Sequence, residues 1–109
     1  MKEKLLSYFE AFSNKDLDKL SEMFSNDVIL TDWEIDVIGK DNVLKANKNI
    51  FDSVEAIQVH PRAFYGGDNA YAVEIEIMVT TDKVESLEVI DVITFDDKGL
   101  IDSVKAYKK

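Results

Sequence analysis

One aspartate lies within a strongly apolar stretch of the sequence. If residues 85–95 form a strand, the alternation of side chains places Asp91 on one face with Leu87, Val89, Ile93 and Phe95. A carboxyl group among four large apolar neighbours loses hydration when it ionises, so we expect it to favour the neutral acid. A neutral acid can donate a hydrogen bond to an oxyanion that develops during a reaction. The alternatives are an outward-facing Asp91 or one that accepts structural hydrogen bonds.

Two further residues can complete an acid–base site. Asp32 follows Val28 and Leu30 on one face of a short strand, so we expect it to point inward as an ionised base. The alternative is a turn aspartate that ends the strand. Tyr8 lies on an apolar helix stripe and can donate a hydrogen bond. Its simpler interpretation is a core tyrosine whose hydroxyl is satisfied within the protein.

Other chemistry has less support in the sequence. The absence of cysteine excludes thiolate chemistry and thiolate-bound metals, and one histidine excludes a histidine-rich zinc site. A carboxylate-bound metal remains open, but nothing points to it, so we expect neither a metal nor a cofactor. His60 is held extended by Pro61 and is expected at the rim or surface, with the single arginine, Arg62, at the sheet edge.

The composition limits the size of the protein and its partners. With 109 residues and 46% hydrophobic content, the chain is expected to form one domain over residues 1–109. The net charge of −9, with no basic cluster, predicts that it does not bind nucleic acid and favours a neutral or cationic small ligand. No segment resembles a signal peptide or a membrane span, so we expect a cytoplasmic protein without membrane attachment.

Three helices are predicted in the first half of the chain. Residues 2–13 have apolar side chains at three- and four-residue spacing, including Phe12. Asn14 is predicted to cap a second helix whose buried stripe ends at Phe24. Asp41 is predicted to cap a third helix, which has Phe51 on its apolar side.

The second half of the chain is predicted to consist of strands. Two short extended segments, 27–32 and 36–39, are followed after the third helix by long strands at 54–65, 70–81, 85–95 and 100–107. Gly66–Asn69, Thr81–Lys83 and Asp96–Gly99 are the predicted turns, and consecutive hairpins imply an antiparallel sheet. Helices at one end of the sequence and strands at the other predict an α+β fold.

This order of elements resembles the nuclear transport factor 2-like superfamily, which includes the SnoaL-like and ketosteroid isomerase-like proteins. The similarity is carried by residues 15–28, with the sequence KDLDKLSEMFSNDV, and by IDVITF at 90–95 before the Gly99 turn. It implies a cone-shaped, curved antiparallel sheet packed against three N-terminal helices around an apolar pocket. Because this fold serves many functions, the resemblance alone does not identify one.

Within the superfamily, three residues resemble the catalytic set of the ketosteroid isomerases. The resemblance implies that Asp32 is the general base, and that Tyr8 and protonated Asp91 form the oxyanion hole. Superfamily epoxide hydrolases have an Arg-x-Asp strand motif, whereas this sequence has Val89 at the arginine position. The dehydratases of this fold need two histidines. Trp33 follows Asp32 where the isomerases have proline, and it is expected to be a pocket wall, a lid or a core residue.

The sequence therefore supports two hypotheses. The first is a cofactor-independent isomerase that moves a proton next to a carbonyl group in a pocket lined by Phe12, Trp33, Phe51 and Ile93. The second is a non-catalytic module that binds a small apolar ligand or a protein partner. A homodimer is expected with either, because the outer sheet face carries Met78, Ile90 and Val92 and superfamily members commonly pair through this face.

Overall fold

The computed structural model describes residues 1–109 and contains three helices and six strands. Helix α1 is Lys2–Ser13, α2 is Leu17–Met23 and α3 is Lys40–Ser53. The strands are β1 Phe24–Thr31, β2 Asp36–Ile38, β3 Ala56–Gly67, β4 Ala70–Thr80, β5 Val84–Phe95 and β6 Ile101–Lys108. The α+β architecture predicted from the sequence is confirmed. None of the helices is both long enough and apolar enough to span a membrane.

The N-terminal caps of helices α2 and α3 differ from the sequence-based prediction. Asn14 does not cap α2 but follows the last turn of α1. The cap of α2 is Asp16, whose carboxylate accepts a hydrogen bond from the Lys19 backbone N–H at 3.0 Å. Asp41 lies in the first turn of α3, and the residue before this helix is Gly39 with φ of 96°. Glycine adopts this left-handed conformation without steric cost.

All six strands belong to one curved, open sheet in the order β2-β1-β6-β5-β4-β3. Neighbouring strands are antiparallel except β1 and β6, which are parallel. Strand β1 begins earlier than predicted, because Phe24 is paired with Ile101 of β6 and is buried in the core rather than in the stripe of α2. The parallel pair joins the strands of the N-terminal half, β1 and β2, to the C-terminal strand β6.

The register of β5 decides which side chains reach the interior. Asp91 pairs with Val73 of β4 and with Ala106 of β6. It is 7% exposed, whereas its neighbour Ile90 is 43% exposed on the outer face. The alternation predicted for this strand is therefore confirmed, and Asp91 faces the same side as the buried residues Val89, Ile93 and Phe95.

Helix α1 is held against the inner face of the sheet at its C-terminal end. Its buried side chains are Leu5, Tyr8, Phe9 and Ala11. The hydroxyl of Ser13, the last residue of the helix, accepts a hydrogen bond from the backbone N–H of Val59 in β3 at 2.9 Å. The ammonium group of Lys15 donates to the carbonyl oxygen of Val54 at 2.7 Å. These contacts fix the position of α1 over the strands that carry the site.

Candidate functional site

A cavity of about 210 Å³ lies between the inner face of the sheet, helices α1 and α3, and the loop that joins β1 to β2. Sixteen of the twenty residues that line it are hydrophobic. The other four are Asp32, Glu34, Asn47 and Asp91. The lining therefore offers carboxyl groups and one amide in an apolar surrounding, which is the usual arrangement of a small-molecule site.

Asp91 is the carboxyl group that this environment changes most. Its neighbours across the strands, Val73 and Ala106, offer no polar side chain. Burial and, to a lesser extent, the negative charge of Asp32 together raise the pKa of Asp91 to about 7. Near neutral pH a large fraction of Asp91 is therefore protonated and able to donate a hydrogen bond.

Asp32 follows β1 directly and forms a tight turn. Its Oδ1 atom accepts hydrogen bonds from the backbone N–H groups of Glu34 at 2.7 Å and Ile35 at 2.6 Å. Its own backbone N–H donates to the carbonyl oxygen of Ile35 at 2.8 Å. Asp32 is thus both a turn aspartate and a residue of the cavity lining. Both turn bonds use Oδ1, which leaves Oδ2 as the oxygen that can receive a proton.

Tyr8 lines the cavity from helix α1. Its ring is 4% exposed and packs against Phe9, Phe12 and Phe24, with ring centroids 5.4 to 6.1 Å apart. Burial raises the pKa of the Tyr8 hydroxyl, and the charge of Asp91 raises it further. The phenol therefore stays protonated and remains a hydrogen-bond donor.

The structure brings together the three residues that sequence analysis placed in one site. Tyr8, Asp32 and Asp91 come from α1, from the end of β1 and from β5, and all three line the same cavity. Asp32 and Asp91 are also close enough for the charge of one to raise the pKa of the other.

The four residues expected to form the pocket wall divide into two pairs. Phe12 and Trp33 line the cavity, whereas Phe51 and Ile93 do not. Phe51 packs edge to face against Phe12, with the ring centroids 4.8 Å apart, but does not itself line the cavity. Ile93 is fully buried in the core. Both side chains are buried on inward faces, as predicted, but the cavity does not extend to them.

Trp33 lies at the mouth of the cavity. It is 42% exposed, and the exposed Glu34 beside it also belongs to the lining. The ammonium group of Lys108, from the end of β6, lies 5.1 Å from the centre of the Trp33 ring, within cation–π distance. The indole is therefore a wall of the entrance and not a core residue.

His60 and Arg62 lie outside the cavity lining. The His60 ring is near the Gln58 side chain at 3.3 Å. Arg62 forms an ion pair with Glu76, across β3 and β4. Both positions agree with the rim and sheet-edge interpretation of the sequence.

Sequence analysis missed Asn47 as a residue of the cavity. It lies on α3, is 2% exposed, and its Nδ2 atom has no hydrogen-bond partner. The signal for its burial was present in the sequence, because Val43, Asn47 and Phe51 are spaced four residues apart and share one helix face. A polar residue on that face marks a possible ligand contact.

Comparisons with known proteins agree with this architecture. The protein-family model described as a SnoaL-like domain matches residues 5–104. Comparison with curated protein sequences gives no match. A hypothetical protein with a ketosteroid isomerase-like fold from Catenulispora acidiphila, solved in complex with trimethylamine, superposes with a TM-score of 0.87 at 13% identity, over 96% of this chain and 84% of that one.

Two structural neighbours are described as epoxide hydrolase-like. The LEH-like epoxide hydrolase of M. tuberculosis is 16% identical, with a TM-score of 0.85 over 98% of this chain and 80% of that one. SalBIII, an epoxide hydrolase/cyclase-like enzyme in pyran ring formation in salinomycin, is 20% identical, with a TM-score of 0.86 over 99% and 89%. At these identities the likeness concerns the fold alone. The family match, by contrast, covers most of the sequence, and the chain therefore belongs to the SnoaL-like domain family, with the nuclear transport factor 2-like fold.

Proposed function

We propose that this protein is a cofactor-independent isomerase that transfers a proton next to the carbonyl group of a small, mostly apolar ketone. The observation that carries the proposal is one apolar cavity lined by Tyr8, Asp32 and Asp91, two of which favour their protonated forms. Acid–base catalysis requires a proton-accepting group held beside hydrogen-bond donors, and this cavity combines a carboxyl group with two groups whose pKa is raised by burial.

The proposed reaction moves one proton within the substrate. Oδ2 of Asp32 removes a proton from the carbon between the carbonyl group and the double bond of a β,γ-unsaturated ketone. The electron pair moves onto the carbonyl oxygen, which becomes a dienolate oxygen and accepts hydrogen bonds from the Tyr8 hydroxyl and from protonated Asp91. Asp32 then returns the proton to the γ carbon, and the conjugated ketone leaves. Donors held in an apolar cavity stabilise such an oxyanion more than water does.

The lining favours this reaction over the opening of an epoxide. Val89 lies on the cavity where the epoxide hydrolases of the superfamily have arginine, according to the resemblance described above. The single arginine, Arg62, is paired with Glu76 away from the lining. The lining includes no lysine, arginine or histidine, so its polar side-chain groups are carboxyl, phenol, amide and indole groups.

The size of the cavity supports a compact substrate. An engineered protein cavity of about 150 Å³ holds benzene. The cavity of about 210 Å³ therefore suits a ketone of one or two rings better than a tetracyclic one.

The test follows the conversion of β,γ-cyclohexenone into its conjugated isomer by absorbance. Replacing Asp91 with leucine removes one oxyanion donor, so we expect kcat to fall by about 10²–10³, which corresponds to about 2.7–4 kcal/mol. Asp91→Asn keeps a donor of similar shape, and its loss should be smaller. In the wild type kcat should also fall above pH 7, where Asp91 ionises. Asp91→Asn should lack this fall.

A different result points to the second hypothesis. If the wild type leaves several β,γ-unsaturated ketones unchanged, the isomerase proposal is wrong. The cavity would then serve to bind a small neutral ligand without chemistry, with its carboxyl groups orienting the ligand.

The outer face of the sheet leads to a prediction about assembly. Ile90 and Tyr107 are paired across β5 and β6 and are 43% and 58% exposed. We expect this face to pair with a second copy of the chain, because adjacent exposed apolar side chains favour association. Sedimentation should show a dimer for the wild type and a monomer for Ile90→Asp. Val84→Asp, at an exposed position at the far end of β5, is the control that should remain dimeric. A monomeric wild type at micromolar concentration would contradict the prediction.

A further inference from the structure

Asn47 is a buried polar residue that the proposed reaction does not use. It lies between Val43 and Phe51 on the buried face of α3, is 2% exposed, and lines the cavity beside Ile50. Its Nδ2 atom has no hydrogen-bond partner in the protein. Burying an unpaired amide costs free energy, so a residue of this kind needs an explanation.

Two buried polar side chains lack a hydrogen-bond partner, and of these only Asn47 lines the cavity. Ser25 of β1 is 8% exposed, and its hydroxyl is also unpaired. Ser25 is not part of the cavity lining, so no ligand can reach it from there. Asn47 is part of the lining, so a bound molecule can contact its side chain.

We propose that Asn47 determines ligand specificity by forming a hydrogen bond with a second oxygen atom of the ligand, away from the reacting carbonyl group. The ligand class is then a compact ketone of one or two rings that carries a hydroxyl or a second carbonyl group. An amide can donate to either oxygen and can also accept from a hydroxyl. The inference rests on the proposed function for the ketone, but the Asn47 contact itself requires only binding.

Thermal stability distinguishes a ligand contact from a structural role for Asn47. A side chain that holds the fold together destabilises the protein when it is removed. Asn47 has no partner for Nδ2, so replacing it with leucine, which has a similar shape, removes a buried unpaired amide at little loss of packing. We expect Asn47→Leu without ligand to unfold at the same temperature as the wild type or higher.

Binding is measured by calorimetry with β-tetralone and with hydroxy-β-tetralones that carry the hydroxyl at each position of the aromatic ring in turn. The wild type should bind at least one hydroxylated compound about tenfold more tightly than β-tetralone, as one net hydrogen bond allows. Asn47→Leu should bind all of them with similar affinity, near that of the wild type for β-tetralone. Ser25→Ala is the matched control and should keep the wild-type preference.

Several outcomes would overturn the inference. One is a wild type that binds none of the tetralones or shows no preference among them. Another is a preference of the wild type that persists in Asn47→Leu. An equal loss of affinity for all the compounds, or a marked fall in unfolding temperature, would make Asn47 a structural residue. Asn47→Ala, measured in the same way, is the second variant and should also lose the preference. Preferential binding by a protein that leaves several β,γ-unsaturated ketones unchanged would overturn the isomerase proposal and leave this inference standing.

Discussion

Replacing Asp32 with asparagine is expected to lower kcat for the isomerisation by about 10²–10⁴, the contribution typical of a general base. The amide cannot take the proton from the substrate. Its Oδ1 atom can still accept the two hydrogen bonds from Glu34 and Ile35 that form the turn after β1. The variant should therefore fold normally and retain ligand binding, and steady-state kinetics and thermal unfolding measure the two effects separately.

The protein offers a matched control for this substitution. Asp96, in the turn between β5 and β6, also accepts two backbone hydrogen bonds through Oδ1, from Lys98 and Leu100, each at 2.9 Å. It does not line the cavity. Asp96→Asn should keep wild-type kcat, since it changes the same kind of turn without touching the site. Equal activity in the wild type and in Asp32→Asn would show that Asp32 is not the base.

The second large effect concerns stability and arises from the buried carboxyl group of Asp91. Its pKa is about 7 in the folded protein and 3.8 for an exposed carboxyl group, so the folded state binds the proton more tightly. Below pH 4 both states are protonated. As the pH rises from about 4 to 7, the unfolded state releases the proton first, and the free energy of unfolding falls by up to about 4 kcal/mol. Above pH 7 this contribution remains constant.

Comparison of the wild type with Asp91→Asn isolates this contribution. The amide does not ionise, so the stability of the variant relative to the wild type should increase across this pH range and level off above it. Chemical denaturation at several pH values measures the difference. Asp91→Leu also lacks the ionisable group and should show the same pH dependence, although its packing differs. If the difference in the free energy of unfolding between the wild type and the variants does not change with pH, ionisation of Asp91 does not destabilise the folded protein.

The features that sequence analysis predicted well depend on local periodicity. The alternation along β5 was sufficient to place Asp91 inside and Ile90 outside, because one face of that strand is almost uniformly apolar. The hairpin turns followed from glycine and aspartate at the ends of strands. Asp32 was located because it ends a strand whose alternating residues, Val28 and Leu30, are both buried.

The features that it missed depend on contacts between distant segments. The parallel pairing of β1 with β6 joins residues more than seventy positions apart, and no local pattern encodes it. Phe51 and Ile93 point inward as expected, yet the cavity does not extend to them, because its shape depends on how α1 packs over the sheet. The caps of α2 and α3 depended on backbone geometry at Asp16 and Gly39 that the residue types alone did not determine.

The position of Trp33 gives the protein an optical reporter of its own. It is the only tryptophan in the sequence, and it lies half-exposed at the entrance, under the ammonium group of Lys108. A molecule that enters the cavity displaces water beside the indole and changes the polarity around it. Tryptophan fluorescence, excited selectively over the four tyrosines, therefore comes from a single site, and occupancy of the cavity can be followed in solution without attaching a dye.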